Sequence, residues 1–234
     1  MTSRPKGIAV IVVIEKFAHL DQLDGIKKDI DNCTKAFEVL QFKVYPCKDN
    51  TADQIIKFIE NIANDDHSQY DCFILYFSTH GGNGFVCCSD FQTKSLMKKH
   101  KNNASKTIGQ NNTPKGFILF DTLLELFVNS KCQSLKEKPK LFFFDCCRQT
   151  NKERHQPVST RHVRDGGNSK SLEVAAEIQP SPIRAFDTDL ERDEYYSDIF
   201  IGYGAALENS SFIGPNGSFY TEILTNHLKA LTLE

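Results

Sequence analysis

Two short runs hold the residues able to make and break bonds. Asp145-Cys146-Cys147-Arg148 follows the apolar run Leu141-Phe142-Phe143-Phe144, and Ser78-Thr79-His80-Gly81-Gly82 follows the apolar run Cys72 to Phe77. A thiol becomes a nucleophile when a base takes its proton, and imidazole is the base suited to neutral pH. The chemistry these types allow is attack by Cys147 with His80 as general base. Gly81 and Gly82 let a substrate approach bare backbone N–H groups. The N–H of Gly81, with that of Cys147, is placed to stabilise a developing oxyanion. The sequence has seven histidines; His19, His67, His100, His155 and His162 fall in polar loops and His227 in a helical stretch, so only His80 follows a buried run and precedes glycines.

These groups need rigid supports. Both apolar runs have strand length and no polar alternation, which reads as strands buried on both faces of a sheet. Reactive groups at their C-terminal ends sit where open α/β sheets bind ligands. Side chains alternate along a strand, so Asp145 and Cys147 share one side and Cys146 faces the other as core. Ser78 and His80 likewise share a side. Gly7 to Ile14, Phe42 to Tyr45 and Asp198 to Tyr203 read as further strands, and Gly84 to Ser89 as a small hairpin arm. Ile26, Ile30, Cys33, Phe37 and Leu40 recur at helical steps, with Asp29 on the same apolar stripe. A buried acid needs a partner or a task; a partly exposed position and a structural ion pair are the plain alternatives.

Thr51 and Gln54 predict a capping box for a helix carrying Ile55, Ile56, Ile59 and Ile62. Asp121 or Thr122 is the expected cap of a helix through Phe127. The last helix is expected from about Asn216-Gly217-Ser218 onward, with Phe219, Ile223, Leu224, Leu228 and Leu231 inward. Alternating strands and helices predict an α/β fold: a mostly parallel central sheet of about six strands, flanked by helices on both faces. Residues 1–234 read as one domain. Its parts are 1–149, a linker at 150–197 rich in charge, Pro, Gly and Ser, and 198–234.

Composition narrows the function. A net charge of -2 gives no electrostatic case for nucleic acid or membrane. The basic stretch Lys98 to Lys115 has no interleaved aromatics of the kind that stack on bases. No apolar run approaches the ~20 residues of a membrane span, and the N-terminus lacks the layout of a signal peptide. The eight cysteines form no C-x-x-C pair, which argues against zinc and a disulfide framework and for a reducing setting, cytoplasmic or nuclear. His80-Gly81-Gly82-Asn83-Gly84 lacks the lysine or the spacing of a phosphate-binding loop.

Together, His80-Gly81 and Asp145-Cys146-Cys147-Arg148-Gln149 resemble the two motifs of the caspase-like cysteine protease superfamily. The separation of His80 and Cys147, roughly 65 residues, exceeds the ~50 usual in caspases, and the basic insert after Lys98 accounts for the excess. The resemblance runs over nearly the whole chain and implies the caspase-like fold and a cysteine endopeptidase. It would work through a Cys–His dyad and a thioester, with no third catalytic carboxylate and no cofactor.

Caspases hold a substrate Asp with two arginines and the signature glutamine. Here those places hold Leu23, a residue near Phe212, and Asp145. Asp29, Ser78 and Asp145 instead resemble the set found in metacaspases and paracaspases. They imply a pocket for an Arg or Lys side chain, with Glu208 as a further acid, and hence protein or peptide substrates cut after a basic residue. Gly82 to Ser89 is poor in acids, which speaks against the calcium site of metacaspases. In the linker, Arg161, Arg164 and Lys170 suit self-cleavage, whereas paracaspases dimerise through the last strand region. An Asp-specific caspase and an inactive caspase-fold adaptor remain as alternative classes.

Overall fold

The computed structural model describes residues 2–92, 114–149 and 189–230. The basic stretch after Lys98, the proposed cleavage residues Arg161, Arg164 and Lys170, and Leu231 lie outside them.

In chain order the elements are β1 (Gly7–Val13), α1 (Lys27–Val39), β2 (Phe42–Lys48), α2 (Ala52–Asn64), β3 (Cys72–Ser78), β4 (Gly81–Gly82), β5 (Phe85–Gln92), β6 (Lys115–Leu119), α3 (Phe120–Glu125), β7 (Lys140–Asp145), α4 (Asp189–Tyr195), β8 (Ile199–Tyr203), β9 (Ile213–Gly214), β10 (Gly217–Ser218) and α5 (Phe219–Ala230). The central sheet is parallel, in the order β2-β1-β3-β7-β8. It has five strands among the described residues. The arm expected at Gly84 to Ser89 extends over Phe85–Gln92 and belongs to a separate antiparallel sheet β4-β5-β6.

Strand alternation sorts the core into two layers. Val10, Val12, Leu75, Phe77, Phe142, Phe144 and Cys146 pack with Ile55, Ile59 and Ile62 of α2 and Leu123 of α3. Ala9, Ile11, Val13, Ile74, Tyr76 and Phe143 pack on the other face with Cys33 and Phe37 of α1 and Leu224 and Leu228 of α5. Central strands covered on both faces have no polar alternation, which is why β1, β3 up to Phe77 and β7 from Leu141 to Phe144 read as unbroken apolar runs.

Four local expectations are corrected. β2 runs past Tyr45 through Pro46 to Lys48; it is the edge strand, where a missing N–H costs no ladder bond. Leu119 holds the N-cap position of α3 without a side-chain bond, so Asp121 and Thr122 lie in its first turn. Asp189–Tyr195 is helical, where only linker is expected. The inward face of α5 holds the buried Thr221 and Thr225 beside Leu224 and Leu228, while Phe219 and Ile223 are 56% and 59% exposed. That helix is turned to bring a hydroxyl inward, a polar demand that an apolar stripe does not reveal. The capping box at Thr51 forms as expected, Gln54 N–H donating to Thr51 Oγ1 at 3.4 Å and Thr51 N–H to Gln54 Oε1 at 3.0 Å.

Candidate active site

The parallel register pairs Ser78 with Asp145, and the contact continues one step on, Thr79 N–H donating to Asp145 O at 3.1 Å. His80 and Cys147 therefore lie two residues beyond the same rung of adjacent strands, which run about 4.8 Å apart. Cys147 is half-buried, whereas the other seven cysteines are buried. Burial pushes those seven thiols up, so they are poor nucleophiles.

His80 is half-buried and stacks against Phe17, ring centroids 4.9 Å apart. Its Nε2 lies 3.0 Å from the backbone oxygen of Asp21. A carbonyl can only accept, so Nε2 carries the proton and Nδ1 holds the lone pair. Burial pulls the imidazole below its ordinary value, which favours the neutral ring with its Nδ1 lone pair available.

Gly81 is fixed by packing. A Cβ there would sit 2.7 Å from Phe85 O and 2.9 Å from Cys146 Sγ. The buried Cys146 thus faces Gly81 across the sheet end, on the side opposite Asp145. Cys87 N–H donates to His80 O at 2.8 Å, so in this antiparallel pair His80–Cys87 is a bonded rung. Gly81 pairs with Val86 on the next, non-bonded rung, and its N–H points away from β5.

The acids gather on the α1–α5 face. Asp29 is fully buried and accepts from Ser78 Oγ at 2.8 Å and from Ser218 N–H at 2.9 Å. The plain readings of it, a half-exposed position or an ion pair, do not hold: no lysine or arginine pairs with it among the described residues. Asp145 is 3% exposed. It accepts from Ser211 Oγ and lies 3.4 Å from Tyr76 Oη and 3.5 Å from Thr221 Oγ1. Gly204 and Gly217 are required here, since a Cβ on either would strike the Asp145 or the Asp29 carboxylate.

Burial raises the Asp29 carboxyl to about 6 against its hydrogen bonds, with Asp145 adding like-charge repulsion. Burial raises Asp145 too. The two carboxyls therefore share one cage, lined by neutral donors.

Glu208 is exposed and stands apart from these contacts; its backbone N–H donates to Arg148 O at 3.1 Å. Arg148 N–H donates to Asn209 O at 2.9 Å and its guanidinium lies 3.8 Å from the Tyr203 ring centre. Gln149 donates to Ser210 Oγ at 2.9 Å. The loop after Cys147 is thus tied to the loop after β8.

Sequence reasoning missed Tyr76, Ser211, Ser218, Thr221 and the Asp21 carbonyl. Tyr76 had a signal, since strand alternation puts it on the side of Ser78 and His80. The others reach the site from 59 to 189 residues away, and no local pattern marks such partners. Among the described residues, no group of three or more His, Cys, Asp or Glu side chains is arranged to hold a metal ion, and no helix is long and apolar enough to cross a membrane.

The same fold and related sequences are found among known proteins. Caspase-1-A of Xenopus laevis is 28% identical over 148 residues, which is 63% of this chain and 36% of that protein. Caspase-8 of Mus musculus is 25% identical over 240 residues, 98% of this chain and 42% of that protein. The chain thus spans about two fifths or less of the length of these relatives. The crystal structure of Caspase-1 from Spodoptera frugiperda has the same fold, with a TM-score of 0.66 at 22% identity, covering 98% of this chain and 72% of that one. The Caspase domain family model matches residues 6–233, and the chain belongs to that family.

Proposed function

We propose that this protein is a cysteine endopeptidase that cuts proteins after Arg or Lys. The observation that carries the specificity is the pair of buried acids, Asp29 and Asp145, with only hydroxyl and amide donors around them. Burying two carboxylates without a cation is costly. A guanidinium or ammonium brought by a substrate supplies the missing charge, in the fork geometry that suits arginine. Asp145 stands two residues before Cys147, so the side chain that fills this cage belongs to the residue whose carbonyl faces the thiol.

In this reading His80 Nδ1 takes the proton of Cys147, and the sulfur attacks the scissile carbonyl. The N–H groups of Gly81 and Cys147 hold the oxyanion. The C–N bond breaks as His80 returns the proton to the leaving amine, and water then hydrolyses the thioester through the same histidine. Ser78 orients Asp29. The eight cysteines, none of them in a disulfide, fit a reducing setting in cytoplasm or nucleus.

The reading includes a homodimer joined along β8. That strand is a sheet edge, and Phe200 on it is 55% exposed, an arrangement that invites pairing with a second copy. Sedimentation should show a concentration-dependent dimer that Phe200→Lys abolishes; a wild-type monomer at every concentration removes this part.

Peptides ending in Arg, Lys or Asp before a fluorogenic leaving group test the specificity, with Cys147→Ala and Asp145→Gln as controls. Cleavage of the Arg and Lys peptides, lost in both variants, is expected. A second reading, cleavage after Asp, is favoured by the matched relatives being named caspases, and cleavage of the Asp peptide alone would establish it. An adaptor without activity would leave all three peptides uncut and Cys147 unlabelled by a thiol-directed inhibitor.

A further inference from the structure

The donors around the two acids can be counted. Asp29 receives the Ser78 hydroxyl and the Ser218 backbone N–H, and the Thr221 hydroxyl also favours its ionised form. Asp145 receives the Ser211 hydroxyl on Oδ1, and the Ser218 hydroxyl also favours its ionised form. Its Oδ2 faces Tyr76 Oη and Thr221 Oγ1, which also touch each other. Two hydroxyls in mutual contact have two protons. One hydroxyl donates to the other, so only one proton is left to point at Asp145. Among the described residues every donor in the cage is neutral, and the two carboxyls are close enough to repel. Two carboxyls in one dry site ionise together only at a cost, so without a cation the second proton leaves at a raised pH.

We propose that Tyr76 and Thr221 are positioning residues of this pocket: their joined hydroxyls hold the Asp145 carboxyl against Asp29 in a cage that keeps one proton for two carboxyls when empty and releases it when a basic side chain enters. The inference rests on the Arg/Lys reading above and adds a linkage to it: substrate binding becomes proton release. Both acids are raised by burial, Asp29 to about 6, while the hydroxyls pull the other way. The hydroxyl pair therefore adds to Ser211 and Ser218 in deciding how readily the cage ionises.

The other titratable groups facing the cage come from the elements packed around it: Cys33 on α1, Tyr76 on β3 and Tyr220 on α5. Burial pushes all three up, so they stay neutral near pH 6. Lys229, on the last turn of α5, acts on Cys33. The proton released near pH 6 thus comes from the acids.

Calorimetry on Cys147→Ala, with a peptide amide ending in arginine and buffers of different ionisation heat, measures the release directly. About one proton per bound peptide is expected near pH 5.5, falling toward zero by about pH 8. In the active enzyme, kcat/KM for the arginine peptide should fall about tenfold per pH unit below about pH 6, as the free pocket titrates. The pocket limb should be absent from kcat, because the bound cation keeps the acids ionised; the His80 limb remains there.

Tyr76→Phe and Thr221→Val each break the joined pair that orients and strengthens the hydroxyl donating to Asp145, so both should move the kcat/KM limb up by about half to one pH unit. They should raise KM several-fold at pH 6.5 and largely keep kcat. Thr221→Ser restores the hydroxyl and should restore the limb, a result that packing alone does not produce. Binding without proton release near pH 5.5, or limbs unmoved in both variants while only melting temperatures drop, overturns the inference and leaves the Arg/Lys reading standing. Wild-type enzyme that cuts neither basic peptide overturns that reading, and this inference with it.

Discussion

At the scale of single residues, neighbours in sequence differ because a strand end turns them to opposite sides. Cys146 lies in the core against Gly81, and Cys147 is half-buried beside His80's strand end. Brief treatment of the native protein with iodoacetamide should alkylate Cys147 and spare the other seven thiols, as read by peptide mass spectrometry. Early labelling of any buried cysteine would contradict this assignment. Asp29 gives a second test, with opposite effects on function and stability. Its carboxyl is raised from 3.8 to about 6 in the fold, so between those values the folded protein holds more protons than the unfolded chain. The stability linked to that proton is present at acid pH and is lost as pH rises through about 6. Asp29→Asn keeps an acceptor for Ser218 and removes this loss. It should abolish cleavage of basic peptides yet stabilise the protein at pH 7.5 by on the order of 2–3 kcal/mol, a gain that vanishes near pH 4. Denaturant titrations at the two pH values decide it.

At the scale of elements, each helix shows a different degree of local control. The N-terminus of α2 is set by its own residues, through the reciprocal Thr51–Gln54 bonds. Thr51→Ala should cost about 1 kcal/mol and lower the melting temperature by about 2–4 °C with kcat unchanged. An unchanged melting temperature would mean the cap is redundant. The orientation of α5 is set elsewhere: Thr221 turns inward to meet Tyr76 and Asp145, and Phe219 and Ile223 are left outside. α1 lies between these cases. Its apolar stripe is legible, and the acid within it becomes intelligible only through the Ser78 hydroxyl and the Ser218 N–H.

At the scale of the molecule, the site is assembled from both ends of the chain. β8 pairs with β7 from Lys140–Ile199 to Phe144–Tyr203. The start of β8 is anchored as well: Lys140 Nζ lies 3.8 Å from Asp198 Oδ2, and Asn129 donates to Ser197 Oγ at 2.9 Å. A specific protease site inserted between residues 150 and 188 therefore should yield two pieces that stay together after cutting. They should coelute in gel filtration under native conditions and separate in denaturant. Separation under native conditions would show that the covalent connection, rather than the sheet, holds Ser211, Ser218 and Thr221 at the acids.

The sequence by itself determined what is local and periodic. Apolar runs of strand length gave the parallel sheet, because buried strands show no alternation. Period 2 separated Asp145 and Cys147 from Cys146, and a helical stripe exposed Asp29 as an acid in the wrong place. Tertiary structure alone decided what closes around those groups. The Asp21 carbonyl at His80, the hydroxyls of Ser211 and Thr221 and the N–H of Ser218 come from segments distant in sequence. Their residue types are common in any loop or helix, so nothing in their own surroundings marks them. Whether an acid in a strand or helix is a solvated group, an ion pair or a floor for a cation depends on which donors the fold carries to it. Here it carries only neutral ones.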